Sequence, residues 1–369
     1  METRTLLANA RDVDSDLMHN RHRFPYIWKL SDLEEVPKNG KTVFSCFSCG
    51  GGSSMGYKLA GYTVLGNCEI DPDMEKLYEQ NQHPQYTYLM DIRDFNQLHV
   101  YPDELKSLDI LDGSPPCSVF STAGDREKAW GKEKVFREGQ KEQRLDDLFL
   151  HFIRTAEILR PKVVIAENVS GLLKGNAKGY VNELLKAFHS ASYVTQIFQM
   201  DAQAMGVPQK RQRVFFIAHR DDLDWPKLRL SFNEPPIRFG DVRSERGIPI
   251  RGDRLMAELI KKRRIGDRCF ADISMRERGK YTMFTNPIVG DERVAPTNVS
   301  SATAVRFCDG MKYSDHDYIV TQTFPEDYDF MDQSVTYVCG MSVPPVMMAN
   351  IASEIYTQWL KPDEDGKKI

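Results

Sequence analysis

Three short stretches of the chain hold residue types that could do covalent chemistry. Asp112-Gly-Ser-Pro-Pro-Cys117-Ser-Val-Phe-Ser121 places a cysteine behind two prolines. Prolines fix the backbone and so hold the next residue in a set direction, which makes Cys117 a candidate nucleophile if positive groups stabilise its thiolate. Glu167-Asn168-Val169 contributes a carboxylate, and Gln209-Lys-Arg211-Gln-Arg213 contributes two guanidinium groups. A thiol, an acid and paired arginines make a catalytic constellation if they share one place. Taken singly they are a turn cysteine, a solvated charge and the makings of a structural ion pair.

A fourth stretch, Cys49-Gly-Gly-Gly-Ser-Ser-Met-Gly56, suits ligand binding. Glycines permit a tight turn and close approach of a ligand to a helix N-terminus. Glu69, at the end of the next expected strand, is placed to bind the ribose hydroxyls of a nucleoside cofactor. Such turns also arise for packing reasons alone. No Gly-Lys-Ser/Thr comes after it, which argues against a nucleoside triphosphate. Cys46 and Cys49 spell CxxC, but a zinc site wants a second pair and a redox pair wants a helix start. Two packed thiols are expected.

These residues matter only if the chain carries them to one edge. Between 41 and about 220, strands (43–47, 63–68, 108–111, 163–166, 193–200, 214–218) alternate with helices (53–60, 74–80). Leu145, Leu148, Phe149, Phe152, Ile153, Ala156 and Leu159 form the stripe of another, amphipathic helix. The alternation predicts an α/β fold with a doubly wound parallel sheet and a site at the carboxyl ends of its strands. The polar run 122–144, with Gly124, Gly131 and Gly139, reads as a mobile lid. After Trp225-Pro226 the rhythm stops. The chain to about 328 is rich in Arg, Gly and Pro, has one helical candidate at 255–262, and reads as a separate small domain; 343–360 can form a last helix.

The 369 residues exceed one ordinary domain of ~100–200. No apolar stretch nears the ~18 residues of a membrane span, and the N-terminus lacks a secretory h-region, so a soluble intracellular chain is expected. Seven dispersed cysteines, an odd number, suggest free thiols in a reducing compartment. The net charge of −4 speaks against a nucleic-acid partner, but the charge is uneven. From Lys227 to Lys280 there are fifteen Lys or Arg against eight Asp or Glu, a surplus of +7 that leaves −11 elsewhere. That block points to an anionic partner.

Taken in order, the motifs resemble the DNA (cytosine-5) methyltransferases of bacterial or phage restriction–modification systems. Phe47-Ser-Cys-Gly-Gly-Gly-Ser-Ser-Met-Gly56 with Ala60-Gly61 resembles the cofactor loop, Glu69 the ribose-binding acid, and Asp91-Ile92 the pair that contacts adenine. Pro116-Cys117 is similar to the Pro-Cys loop, Leu148-Phe-Leu-His-Phe152 to the Leu-Phe-x-x-Phe helix, Glu167-Asn-Val169 to Glu-Asn-Val, and Gln209-Lys-Arg211-Gln-Arg213 to Gln-x-Arg-x-Arg. Ala295-Pro-Thr297 and Thr323-Phe-Pro-Glu-Asp-Tyr328 resemble segments that close the variable region, and Gly340-Met-Ser-Val-Pro-Pro345 the final Gly-Asn-Ser-Val-Pro-Pro. Three positions depart from the pattern: Cys49 replaces the first glycine, Ser118 a glutamine and Met341 an asparagine, each expected near cofactor or base.

The resemblance implies an S-adenosylmethionine-dependent, Rossmann-like doubly wound sheet with a smaller, mixed target-recognition domain. It implies an N-terminal extension over 1–40, a catalytic domain over 41–220, target recognition over 221–330 (core about 221–305) and a return to the catalytic domain over 331–369. Cys117 would add to C6 of a flipped cytosine, Glu167 would bond N3 and the exocyclic amine, and Arg213, with Arg211 as second choice, would steady O2. Implied cofactor contacts are Phe47, Gly50, Gly52, Glu69, Ile70, Asp91, Ile92, Ser114, Pro116, Leu148, Ser342 and Val343, with S-adenosylhomocysteine as product and no metal. Implied DNA contacts are Ser121, Lys261, Lys262, Arg263, Arg264 and Thr297. The implied partners are double-stranded DNA and a cognate restriction endonuclease, for a monomer in the cytoplasm at the nucleoid. The rival readings are an RNA cytosine-5 methyltransferase of the same fold and a catalytically weak DNA-binding paralogue. A nicotinamide dehydrogenase would share the glycine loop and Glu69 but has no use for the other motifs. Arg21-His-Arg-Phe-Pro-Tyr-Ile-Trp28 reads either as an arm over the catalytic domain or as a dimer contact.

Overall fold

The computed structural model describes residues 22–116, 147–174, 178–282, 286–300 and 302–361. Its centre is a seven-stranded sheet. In chain order the elements are β1 (Thr42–Cys46), α1 (Gly52–Leu59), β2 (Thr63–Glu69), α2 (Pro72–Gln82), β3 (Tyr86–Leu89), β4 (Ile110–Gly113), α3 (Leu148–Leu159), β5 (Val163–Val169), α4 (Lys178–Ser190), β6 (Tyr193–Asp201) and β7 (Gln212–Arg220). The strand order is β3-β2-β1-β4-β5-β7-β6. The chain therefore starts in the middle, winds out to one side and returns, which leaves a crevice between the carboxyl ends of β1 and β4.

The sheet is not wholly parallel, and this corrects the expectation from strand–helix alternation. β7 runs antiparallel to both β5 and β6. A parallel pairing needs a long crossover, whereas antiparallel neighbours can be joined by a short connection, and only a short 3-10 turn, Ala202–Ala204, interrupts 202–211. The reversal has a functional consequence. The start of β7 now lies on the edge where β1, β2, β4 and β5 end, and Arg213 is paired with Val169.

Local chemistry sets the boundaries. The Asp71 side chain caps α2 by accepting from Asp73 N and Met74 N, and Pro72 stands where a helix needs no N–H donor. The α3 stripe buries Leu148, Phe149, Phe152, Ile153, Ala156 and Leu159, then stops at Arg160, which has φ 51 and precedes a proline. α3 and α4 cover one face of the sheet, packing Phe149, Phe152, Leu184 and Phe188 on Phe44, Val164 and Phe216. The other face, with Val43, Ile110, Ile165 and Phe215, packs on Tyr57 of α1 and on Val346, Met347 and Ile351 near the C-terminus.

Beyond β7 the described residues form short pieces: α5 (Arg254–Ile260), α6 (Phe270–Arg278), the paired strands β8 (Ile288–Val289) and β9 (Val305–Arg306), α7 (Asp315–Thr321), α8 (Val335–Met341) and α9 (Pro345–Ile355). Met256, Leu259, Ile260, Phe270, Ile273, Ile288 and Val305 make a small core of their own. The stretch Val335–Leu360 reaches membrane-span length with mean hydropathy 1.3, contrary to the sequence expectation, but 72% of its most apolar window is buried inside the protein. Its apolarity is that of a core element. Residues 22–28 lie on the protein as an arm: Trp28 Nε1 donates to Thr323 O at 2.9 Å, His22 Nδ1 lies 2.8 Å from Glu234, and Tyr26 and Trp28 are buried.

Candidate active site and cofactor cleft

The glycine loop leaves β1 through an unusual run of backbone. Phe47 (φ 55), Cys49 (φ 45) and Gly51 (φ 74) all adopt left-handed conformations, and for a residue with a Cβ this costs on the order of 1 kcal/mol or more. Cys49 thus occupies a conformation that glycine takes without strain, which explains why a glycine is expected there. Gly52 is demanded by packing: a Cβ on it would lie 2.1 Å from Val343 O. The loop is closed from above by the C-terminal segment, and Tyr328 OH donates to Gly50 O at 2.8 Å. Between the loop and this C-terminal segment lies a cleft bordered by Phe47, Cys49, Gly52, Ser114, Met341, Ser342 and Val343. Two of the three departing positions, Cys49 and Met341, therefore face it; Ser118 lies outside the described residues.

Glu69 ends β2 beside this loop. Its Oε2 accepts from Cys49 N (2.9 Å), and its Oε1 from Ile70 N (2.9 Å) and Asp71 N (3.1 Å). Burial raises its pKa, and the three amides offset only part of that rise. A carboxylate has about four acceptor sites, so one, on Oε2, is left for a ribose hydroxyl rather than a full pair. Asp91 accepts from Arg93 N at 2.8 Å, and the Arg93 guanidinium bridges Asp91 (2.9 Å) and Asp147 (2.6 Å). Ile70 is exposed and Pro116 half-buried, whereas Ile92 and Leu148 belong to the buried core. Burial, helped by Glu69, pushes the Cys49 thiol up to about 12, so it is held as a neutral thiol.

The cleft suits a nucleoside cofactor on two observations. Ser342 Oγ is buried there with the Cys49 thiol as its one partner among the described residues, and Glu69 keeps an unused acceptor site at the end of the strand next to the glycine loop.

At the neighbouring strand ends, Arg213 Nε meets Glu167 Oε1 at 2.8 Å, with both side chains largely buried (14% and 11% exposed). Asn168 Nδ2 donates to Pro115 O at 3.2 Å, tying the Glu-Asn-Val strand end to the Pro-Pro turn. Cys117 and Ser121 lie outside the described residues, but the chain enters the 117 position from this anchored turn. Arg211 sits differently from Arg213. It is buried, and its guanidinium donates to Asn298 O (3.1 Å), Gly340 O (3.0 Å) and Ser342 O (2.9 Å). Gln209 joins the same hub, donating to Thr321 O (3.0 Å) and Gln322 Oε1 (2.8 Å) and accepting from Asn298 N. These contacts hold the C-terminal segment over the cofactor cleft and commit three of the five N–H groups of Arg211 to backbone carbonyls. Arg211→Met is expected to lower stability by about 2 kcal/mol or more, because the Asn298 and Gly340 carbonyls lose this donor and Ser342 O is left with Gln322 Nε2 alone. Calorimetry showing an unchanged melting temperature would contradict this.

Behind the loop, Glu75 of α2 is buried and accepts from Asn67 Nδ2 at 2.6 Å, while its Oε1 has no partner. Burial pushes its carboxyl up to about 7. A carboxyl raised on folding contributes stability below its unfolded value near ~4.3 and loses it as pH rises through about 7. Glu75→Gln is accordingly expected to raise the melting temperature at pH 8 and to change it little at pH 5. Equal shifts at both pH values would rule this out.

In the basic block, the Arg263 guanidinium is taken up by the carbonyls of Ile260, Phe307 and Cys308. Lys262 and Arg264 both approach Glu277, at 3.7 and 3.3 Å, while Lys261 has no ion pair among the described residues. Thr297 Oγ1 donates to Lys210 O at 2.6 Å, beside the Arg211 hub.

Sequence reasoning does not single out Ser45 and Tyr57 beside the cleft, or Asn298 and Gln322, the partners of Gln209. Their partners lie far off in sequence, so no local spacing marks them.

A sheet in this order, with one reversed strand next to the outer edge and a glycine loop after the first strand, defines the class I methyltransferase fold. Solved structures agree: a DNA modification methyltransferase encoded within an E. coli prophage aligns with a TM-score of 0.63 and 19% identity over 87% of this chain and 100% of that one. A Spodoptera frugiperda DNMT2 mutant aligns at 0.61 and 14%, over 86% and 100%. The chain belongs to the C-5 cytosine-specific DNA methylase family, whose model matches residues 41–357. Among curated relatives, Type II methyltransferase M.NgoPII of Neisseria gonorrhoeae is 34% identical over 53% of this chain, and M1.HphI of Haemophilus parahaemolyticus 25% identical over 85%. The chain spans 51% of the first of these and 86% of the second; M.FnuDI of Fusobacterium nucleatum, 32% identical over 49% of this chain, is spanned over 48%.

Proposed function

We propose that the protein is a DNA (cytosine-5) methyltransferase using S-adenosylmethionine and releasing S-adenosylhomocysteine. The observation that carries this reading is the Glu167–Arg213 pair, held 2.8 Å apart at the strand edge where Asn168 Nδ2 donates to Pro115 O. S-adenosylmethionine supplies an electrophilic methyl group when bound in the cleft. Cytosine C5 is a weak nucleophile, so the Cys117 thiolate adds to C6 and turns the ring into an enamine that attacks from C5. Glu167 holds the proton at N3 and the exocyclic amine; Arg213 offsets the charge that develops toward O2. Loss of the C5 proton and elimination of Cys117 restore the thiolate. These atoms are hidden in a duplex, so the base is extruded at a cost of about a few kcal/mol.

The division of labour proposed is catalysis over 41–220, target recognition over 221–330, and a C-terminal segment over 331–369 that completes the cofactor cleft. The block from Lys227 to Lys280 supplies phosphate contacts, with Lys261 the foremost of the four consecutive cations. A monomer acting on chromosomal DNA in the cytoplasm, paired with a cognate endonuclease, completes the reading. Bisulfite sequencing of a DNA library incubated with protein and S-adenosylmethionine tests it. Protected cytosines within one short sequence are expected, and uniform conversion would refute it.

A further inference from the structure

The wall of the cofactor cleft contains a charged group that the reaction above does not use. Asp112 of β4 is 1% exposed and borders the cleft together with Ser45, Ser53 and Ser114. Its carboxylate accepts from Ser45 Oγ at 2.9 Å and from Tyr57 OH at 3.1 Å, with the Ser53 hydroxyl as a further donor. Hydroxyl donors favour the anion over the acid. No Lys, Arg or His is paired with Asp112 among the described residues, and the Glu167 carboxylate of β5 repels it. Burial accordingly pushes the carboxyl up to about 7. An anion buried without a cation is costly, and the open side of this one is the cleft.

We propose that Asp112 is the counter-charge that makes the cleft prefer the cationic methyl donor to its neutral product. The proposal rests on the donor reading above. S-adenosylmethionine carries a sulfonium centre; S-adenosylhomocysteine carries a thioether in its place. A negative charge in a poorly solvated wall attracts the first and is indifferent to the second. Product release after transfer is thereby favoured, since the attraction disappears with the methyl group.

Direct binding at pH 8, above the raised value of the Asp112 carboxyl, to the full chain without DNA, by calorimetry or equilibrium dialysis, tests this with three ligands: the donor, the product, and sinefungin, which carries an ammonium-bearing carbon in place of the sulfonium. Asp112→Asn is expected to weaken both cations about tenfold and the product less than about twofold. Tyr57→Phe removes one donor to the anion and is expected to act in the same direction by about two- to threefold, which keeps the test open if Asp112→Asn fails to fold. Equal changes for all three ligands, or none, would overturn the role of Asp112. A wild-type chain that binds none of the three would overturn the donor reading and this inference with it.

Discussion

Cys117→Ala is expected to abolish methyl transfer, lowering turnover by at least about 10³-fold, while duplex binding persists. Without the thiolate, the C5=C6 bond of cytosine keeps its aromatic electron distribution and C5 has nothing to attack with. The basic block is remote from this side chain in sequence, and Ser114, the cleft-bordering residue three positions before it, is held independently by its amide donating to Cys46 O, so neither is expected to suffer. Transfer of labelled methyl groups to DNA measures the first quantity and a gel shift the second. Wild-type turnover from the alanine variant would remove Cys117 from the reaction.

Glu167→Gln carries the second large expectation, a loss of about 10²–10³-fold in turnover. The amide keeps the shape of the side chain but cannot deliver a proton to N3, and it deprives Arg213 of the partner that orients it at 2.8 Å. S-adenosylmethionine binding should not weaken, because Glu167 does not border the cleft between the glycine loop and Ser342, and its charge only opposes that of Asp112. Arg213→Ala should likewise lose activity, and its cost in stability comes from leaving Glu167 without its partner, whereas Arg211→Met undoes the carbonyl hub. That contrast separates the two arginines of one motif: one makes an ion pair at the strand edge, the other holds the segment above the cofactor cleft.

Much of the catalytic half is legible because its signals are local. The α3 stripe, the strand at 163–166 and the Asp71-Pro72 start of α2 each arise from residues within one or two turns. The edge strand β3 is not legible, since Tyr86-Thr-Tyr-Leu89 is four residues long and alternates between half-buried and exposed positions. α4 does carry a readable stripe in Tyr180, Val181, Leu184 and Phe188, although the strand–helix alternation set out from sequence omits it. The direction of β7 is not written in its composition; a connection without a long helix is the available hint. The reversal matters most for function, since in a parallel sheet Arg213 would start its strand at the opposite edge from Glu167. The different duties of Arg211 and Arg213 depend on carbonyls at 298, 340 and 342, which only the folded chain brings together.

Covalent attack on cytosine in DNA is measured most directly by mechanism-based trapping. A duplex carrying 5-fluorocytosine at the target site cannot lose a proton from C5, so the adduct cannot be resolved. Incubated with S-adenosylmethionine, the protein is expected to form a denaturant-stable complex with that duplex, with Cys117 as the attached residue in peptide mass spectra and no complex from Cys117→Ala. Failure to trap with duplexes of varied sequence, alongside trapping on fluorinated RNA, would contradict it.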